Sequence, residues 1–273
     1  MLSWQPGDIV VKGVRLHYAR TGGTKPPLVL AHGITDDGLC WSPVAEVLAT
    51  DYDVIAVDAR GHGFSEAPET GYDIATLAED LYGVIAGLEL RKPAILGHSM
   101  GAITTLALAG LHPDVPPAIL LEDPPPWWLP NSGPSGNVPA AGIRDWFRGL
   151  AGQTRDELIA AQRLATPHWS EVDLELLGDS RLRLNAKAIQ LLDPPASASV
   201  TWSACLPLIT CPVLLITADP SRGAIVTPEA VQALEGYIPQ LRLAPIQEAG
   251  HSIHREQLSE YIAVVRSYLA QLS

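Results

Sequence analysis

Short runs of Val, Ile and Leu, each closed by Gly, Pro or Asp, alternate along this chain with stretches whose apolar residues recur at helical spacing. Short runs that are apolar throughout suit strands covered on both faces, and a period near 3.6 suits the helices that cover them. PLVLAHG (27–33), DVIAVDARG (53–61), PAILGHS (93–99), PAILLED (117–123), PVLLITAD (212–219) and LRLAPI (241–246) read as strands. Residues 74–88, 99–111, 228–237 and 255–272 read as helices. An opening hairpin is expected at DIVVKGVRLHYAR, with Lys12 and Gly13 at its turn. Together these patterns predict an α/β fold, a mostly parallel central sheet flanked by helices.

The alternation stops between residues 124 and 206, where PPPWWLPNSGPSGNVP is followed by short amphipathic patterns with no strand between them. This predicts a core formed by 1–123 and 207–273, interrupted by a helical cap, or lid, at 124–206. Five of the seven tryptophans, Trp127, Trp128, Trp146, Trp169 and Trp202, fall in the cap. Such a concentration suits an apolar ligand chamber, and equally the packing of small helices on a sheet.

Composition narrows the function. The chain has 273 residues, 47% of them hydrophobic and 18% charged, which is the balance of one compact domain with an insertion. A formal charge of -12 argues against nucleic acid and anionic membranes as partners. No apolar run approaches a membrane span and no signal-peptide pattern opens the chain, so a cytoplasmic monomer or homodimer is expected. Cys40, Cys205 and Cys211 are odd in number and lack a CxxC, the pattern of small buried residues and not of a disulfide framework or zinc site. No metal and no cofactor is expected.

The candidate chemistry centres on Gly97-His98-Ser99-Met100-Gly101, a G-x-S-x-G placed after an apolar strand and before a strongly helical pattern. A serine on so sharp a turn needs small neighbours, and its hydroxyl then projects above the carboxyl edge of the sheet. The amide of Met100 opens the following helix and is aimed where an oxyanion would form. Ala31-His32-Gly33-Ile34 follows another strand and offers the amide of Ile34 as a second donor. A base is still needed. Among eight histidines, His251 in Glu248-Ala249-Gly250-His251-Ser252 lies on a loop after the last strand, while His254 falls at the helix start. His62 sits in a Gly-rich turn and reads as structural. His32 and His98 read as groups shaping the oxyanion loop and the elbow and, with Trp127 and Trp128, as candidates to face a substrate.

The motifs HG (32–33), DxRGHGxS (58–65), GHSMG (97–101) and AGH (249–251) give the chain a resemblance to the α/β-hydrolase-fold serine hydrolases, in their order and over nearly its whole length. The resemblance implies a triad of Ser99, His251 and an acid. Most members carry that acid after the strand that follows the cap, which here points to Asp219, although Ser221 stands where the family's Asp is usual. A second branch, seen in some haloalkane dehalogenases and lactonases, takes it from the end of the strand before the cap, which points to Asp123. Asp123 is the favoured acid and Asp219 its rival, with Glu122 facing the opposite way by strand alternation.

These residues imply hydrolysis of a carboxylic ester or lactone through an acyl-enzyme, esterase- or lactonase-like. The aromatic, aliphatic cap suggests an uncharged, apolar substrate. Arg144, Arg148, Arg163, Arg181 and Arg183 are either a solvated face or a carboxylate clamp. Amide, carbamate or C–C cleavage and peroxy-acid formation are alternatives for the same triad, and a catalytically silent ligand receptor is the alternative of another class.

Overall fold

The computed structural model describes residues 3–129, 140–193 and 198–271. Eight strands form one sheet: β1 (Gln5–Val11), β2 (Val14–Arg20), β3 (Pro27–Ala31), β4 (Asp53–Val57), β5 (Ala94–His98), β6 (Ile119–Glu122), β7 (Val213–Thr217) and β8 (Leu241–Pro245). Their order is β1-β2-β4-β3-β5-β6-β7-β8. Only β1–β2 and β2–β4 pair antiparallel. The first hairpin turns where expected, with Lys12 and Gly13 both at positive φ (48° and 85°), the backbone that a two-residue turn between twisted strands requires.

Helices cover both faces: α1 (Ser42–Leu48), α2 (Ile74–Gly87), α3 (Met100–Leu111), α4 (Ala140–Leu150), α5 (Arg155–Ala165), α6 (Glu171–Arg183), α7 (Trp202–Cys205), α8 (Pro228–Tyr237), α9 (Ile253–Glu256) and α10 (Leu258–Ala270). Strand alternation splits the core into two layers. Val29, Ile55, Ile95, Leu121 and Leu215 pack with α2, α3 and α8, whereas Leu30, Ala56, Leu96, Leu120 and Ile216 pack with α1 and α10. Each of these side chains is fully buried. The expected C-terminal helix is broken: Gln257 leaves the helical region (φ -135°, ψ 52°), separating α9 from α10. Helix α1 has no counterpart in the periodicity, because seven residues are too few to display it. The three cysteines are free and buried.

Between β6 and β7 the described residues form helices joined by loops, with no strand. Residue Thr154 starts α5 with a reciprocal capping box to Glu157. Helix α6 docks this region on the loop after β3: Ser180 Oγ donates to Thr35 O (2.9 Å) and Arg183 Nε donates to Asp37 Oδ2 (2.7 Å). From β3 the chain steps outward to β4 and then crosses to β5 on the other side, so the strand order reverses there. Loops leaving adjacent strands at such a point diverge and leave a crevice at the carboxyl edge. Both β3 and β5 end at that crevice.

Candidate active site

Ser99 sits between β5 and α3 at φ 51° and ψ -113°, a left-handed backbone that costs a non-glycine residue free energy. Close packing around it is what the two glycines permit. A Cβ on Gly97 would lie 2.3 Å from Gly101 O, and one on Gly101 would lie 2.1 Å from Ala31 O. The strained turn is tied down by Ser99 N donating to Glu122 O at 2.9 Å.

His251 Nε2 lies 3.0 Å from Ser99 Oγ, and its Nδ1 lies 2.6 Å from Asp123 Oδ2. Asp123 is fully buried and also accepts from the amides of Ile225 (2.9 Å) and Val226 (2.9 Å). Asp219 is directed elsewhere: its Oδ1 accepts from Ser221 N (2.8 Å) and caps the turn Pro220–Arg222. The carboxylate against His251 is therefore that of Asp123, the one at the end of β6. The His251 loop is itself held, by His98 Nε2 donating to His251 O (3.0 Å) and Gly250 N donating to Glu256 Oε2 (2.8 Å).

Met100 opens α3, so its N–H has no intrahelical acceptor. In the loop after β3, Gly33 O accepts from His32 Nδ1 (2.8 Å) and from Asp36 N (3.1 Å). Because the peptide is trans, fixing that carbonyl aims the N–H of Ile34 the opposite way. His32 Nε2 accepts from Ala59 N (3.0 Å), which assigns its proton to Nδ1, and burial pushes its pKa down. His62 stands between Arg60 O and Ile34 O at 2.9 and 2.8 Å, and burial pushes its pKa down to about 4. A neutral ring donates to one of the two.

Beneath the His251 loop lies a second, wholly buried polar layer. Glu122, one residue before Asp123, faces away from it and accepts from His254 N (3.0 Å) and His254 Nδ1 (2.8 Å). Burial works against its charge, but His254 and His98 overcome that and hold the Glu122 carboxyl down at about 2. Burial likewise opposes a charge on His98, yet Glu122 and Asp36 raise its pKa. Asp36 is held well below the carboxylate range against burial, chiefly by Arg255, whose Nη2 is 3.1 Å away. Among the described residues His98, Glu122 and His254 alone have ligand atoms at metal-like spacing, within 4.8 Å of one another. Glu122 and His254 satisfy each other and His98 Nε2 bonds His251 O, which reads as a hydrogen-bond network.

A cavity of about 430 Å³ opens over Ser99 and His251. Trp127, Trp146, Trp169, Leu177 and Leu192 supply its apolar walls, and His98 borders it. Two expected substrate-facing residues are elsewhere. Trp128 is buried with Nε1 donating to Ala230 O (2.9 Å), and His32 lies beneath the loop it orients. Sequence reasoning missed Asp36, Arg222 and Arg255, which also line the cavity. The run Thr35-Asp36-Asp37 carried a signal, since two adjacent carboxylates beside a glycine turn imply cationic partners. The arginines between β6 and β7 separate in the fold: Arg144, Arg148, Arg155, Arg163 and Arg183 pair with Asp193, Asp145, Asp179, Glu171 and Asp37, whereas Arg181 borders the cavity.

Fold and site define an α/β-hydrolase. Residues 26–257 match the family model described as alpha/beta hydrolase fold, and the chain belongs to that family. It is 28% identical over 276 residues, covering 96% of each chain, to N-formylmaleamate deformylase of Pseudomonas putida KT2440. Among solved structures, E-2-(acetamidomethylene)succinate hydrolase superposes with a TM-score of 0.83 at 20% identity, covering 98% of this chain and 100% of that one. The N-formylmaleamic acid deformylase of Pseudomonas putida S16 superposes with a TM-score of 0.78 at 27% identity, covering 96% and 100%. Among the described residues no helix is long and apolar enough to cross a membrane.

Proposed function

We propose that this hydrolase is a serine hydrolase that cleaves a carboxylic ester, lactone or amide through an acyl-enzyme. The observation that carries the reading is the continuous line of hydrogen bonds from Ser99 Oγ through His251 to Asp123, at 3.0 and 2.6 Å. Ser99 attacks the carbonyl carbon while His251 Nε2 takes its proton, and Asp123 holds the Nδ1–H tautomer that leaves Nε2 free to accept. The amides of Met100 and Ile34 receive the oxyanion. His251 then returns the proton to the leaving alcohol or amine, and water releases the acyl group by the same steps reversed. The sequence favoured an ester or lactone, and the deformylase relative extends the range to an amide C–N bond.

The test is mass spectrometry after treatment with a neutral fluorophosphonate, which phosphonylates only an activated serine. An adduct on the peptide containing Ser99 supports the reading. Folded protein that remains unmodified overturns it in favour of a silent ligand receptor.

A further inference from the structure

The protein is acidic overall, but the charged side chains lining this cavity run the other way. Three guanidinium groups, Arg181, Arg222 and Arg255, face two carboxylates, Asp36 and Glu256. Glu256 is occupied by Gly250 N, and His168 Nε2 approaches it at 3.4 Å. Asp36 is shared between Arg255 and His98, whose Nδ1 is 3.7 Å away. Arg255 is buried and stacks on Trp169 with 4.9 Å to the ring centre, and its Nε and Nη2 have no aligned hydrogen-bond acceptor. Arg181 is more exceptional. Among the described residues it has neither hydrogen bond nor ion pair, its Nε is buried, and it lies over the ring of Trp146, 5.5 Å from the centre. Burial pushes its pKa down to about 10, so it remains charged at neutral pH.

Asp36 acts on Arg181 only through space, without contact; withdrawing a guanidinium from water with no carboxylate against it is expensive, and a flat fork of donors is suited to one. We propose that Arg181, with Arg255 beside it, binds a free carboxylate on the substrate, so that the molecule cleaved at Ser99 is a half-ester, half-amide or acid-bearing lactone and not an uncharged one. Asp36 fixes Arg255 to the loop that also presents the Ile34 amide, which ties the anion subsite to the reacting carbonyl by a short rigid segment. The apolar walls take the chain between the two ends. This substrate class rests on the serine-hydrolase reading, while the anion subsite itself does not.

The test compares two methyl esters of matched length, monomethyl glutarate and methyl pentanoate, in the wild type, Arg181→Met and Arg181→Lys. The wild type is expected to prefer the acid by about 100-fold in kcat/KM, the size of an unpaired buried charge-assisted contact. Arg181→Met should lose most of that preference and Arg181→Lys only part of it, with far-ultraviolet circular dichroism showing each variant folded. A wild type that prefers methyl pentanoate, or a preference that survives Arg181→Met, overturns the proposal. In parallel, 10 mM glutarate but not glutaramide, at matched ionic strength, should raise the Tm of the wild type and not of Arg181→Met. That arm reads the anion subsite without catalysis. A glutarate-specific shift with no fluorophosphonate adduct sinks the nucleophile and keeps the subsite; an adduct with equal glutarate and glutaramide shifts does the reverse.

Discussion

At the scale of single residues, adjacent positions on β6 serve opposite sides of one loop. Asp123 meets the His251 imidazole while Glu122 meets His254, and the period of two along a strand is the reason. The proposed roles separate accordingly. Ser99→Ala should abolish fluorophosphonate labelling and reduce kcat on the order of 10⁶-fold with an unchanged circular dichroism spectrum. Asp123→Asn should keep the fold but reduce kcat about 10⁴-fold, because an amide there favours the wrong imidazole tautomer. Asp219→Asn should leave kcat near wild type, since its side chain caps a surface turn. Equal losses from the two Asn variants would refute the assignment of Asp123.

At the scale of elements, the elbow works because α3 and β3 touch through glycine. Gly101→Ala would set a Cβ 2.1 Å from Ala31 O, backbone against backbone, with no flexible side chain to yield. The expected loss is about 3 kcal/mol of stability by urea denaturation. A variant as stable as wild type would show that β3 and α3 can move apart. Helix α6 is docked in part by Arg183 on the buried carboxylate of Asp37, whose pKa burial raises. Arg183→Met should cost about 2 kcal/mol, less than a wholly buried pair because the guanidinium is partly solvated. It should also speed proteolysis within α4 to α6, as limited digestion would report.

Across the whole molecule, the buried polar layer under the His251 loop makes stability depend on pH. Glu122 is held at about 2 when folded, against an ordinary 4.5. Between those values the unfolded chain binds the proton that the folded chain refuses, so acid favours unfolding. Its contribution is whole above pH 4.5 and disappears as pH falls through about 2, and Asp36, also depressed, acts in the same direction. His98, with a raised pKa, contributes oppositely: its share is whole below 6.5 and is lost as pH rises through the folded value. Denaturant midpoints from pH 2.5 to 7 should fall steeply on acidification for the wild type. For Glu122→Gln they should start lower at neutral pH and fall less. Parallel curves for the two proteins would remove Glu122 from this account.

Local rules were enough to read the strands, the elbow and the α/β class. Apolar runs such as PLVLA and PAILG are buried on both faces whatever follows, and Gly97-x-Ser99-x-Gly101 between strand and helix carries its own geometry. Ser99 and His251 were legible as candidates because each occupies a short motif after a strand. The choice between Asp123 and Asp219 was not, since it depends on which carboxylate lies within reach of a ring 128 residues further along the chain, a distance only the packed sheet sets. Nor could sequence separate Arg181 from five other arginines between β6 and β7. Arg144, Arg148, Arg155, Arg163 and Arg183 find carboxylates in the folded chain, and Arg181 is left against the cavity without one in contact. Periodicity marks which face of an element is apolar; pairing of charges between elements distant in sequence is decided by tertiary structure.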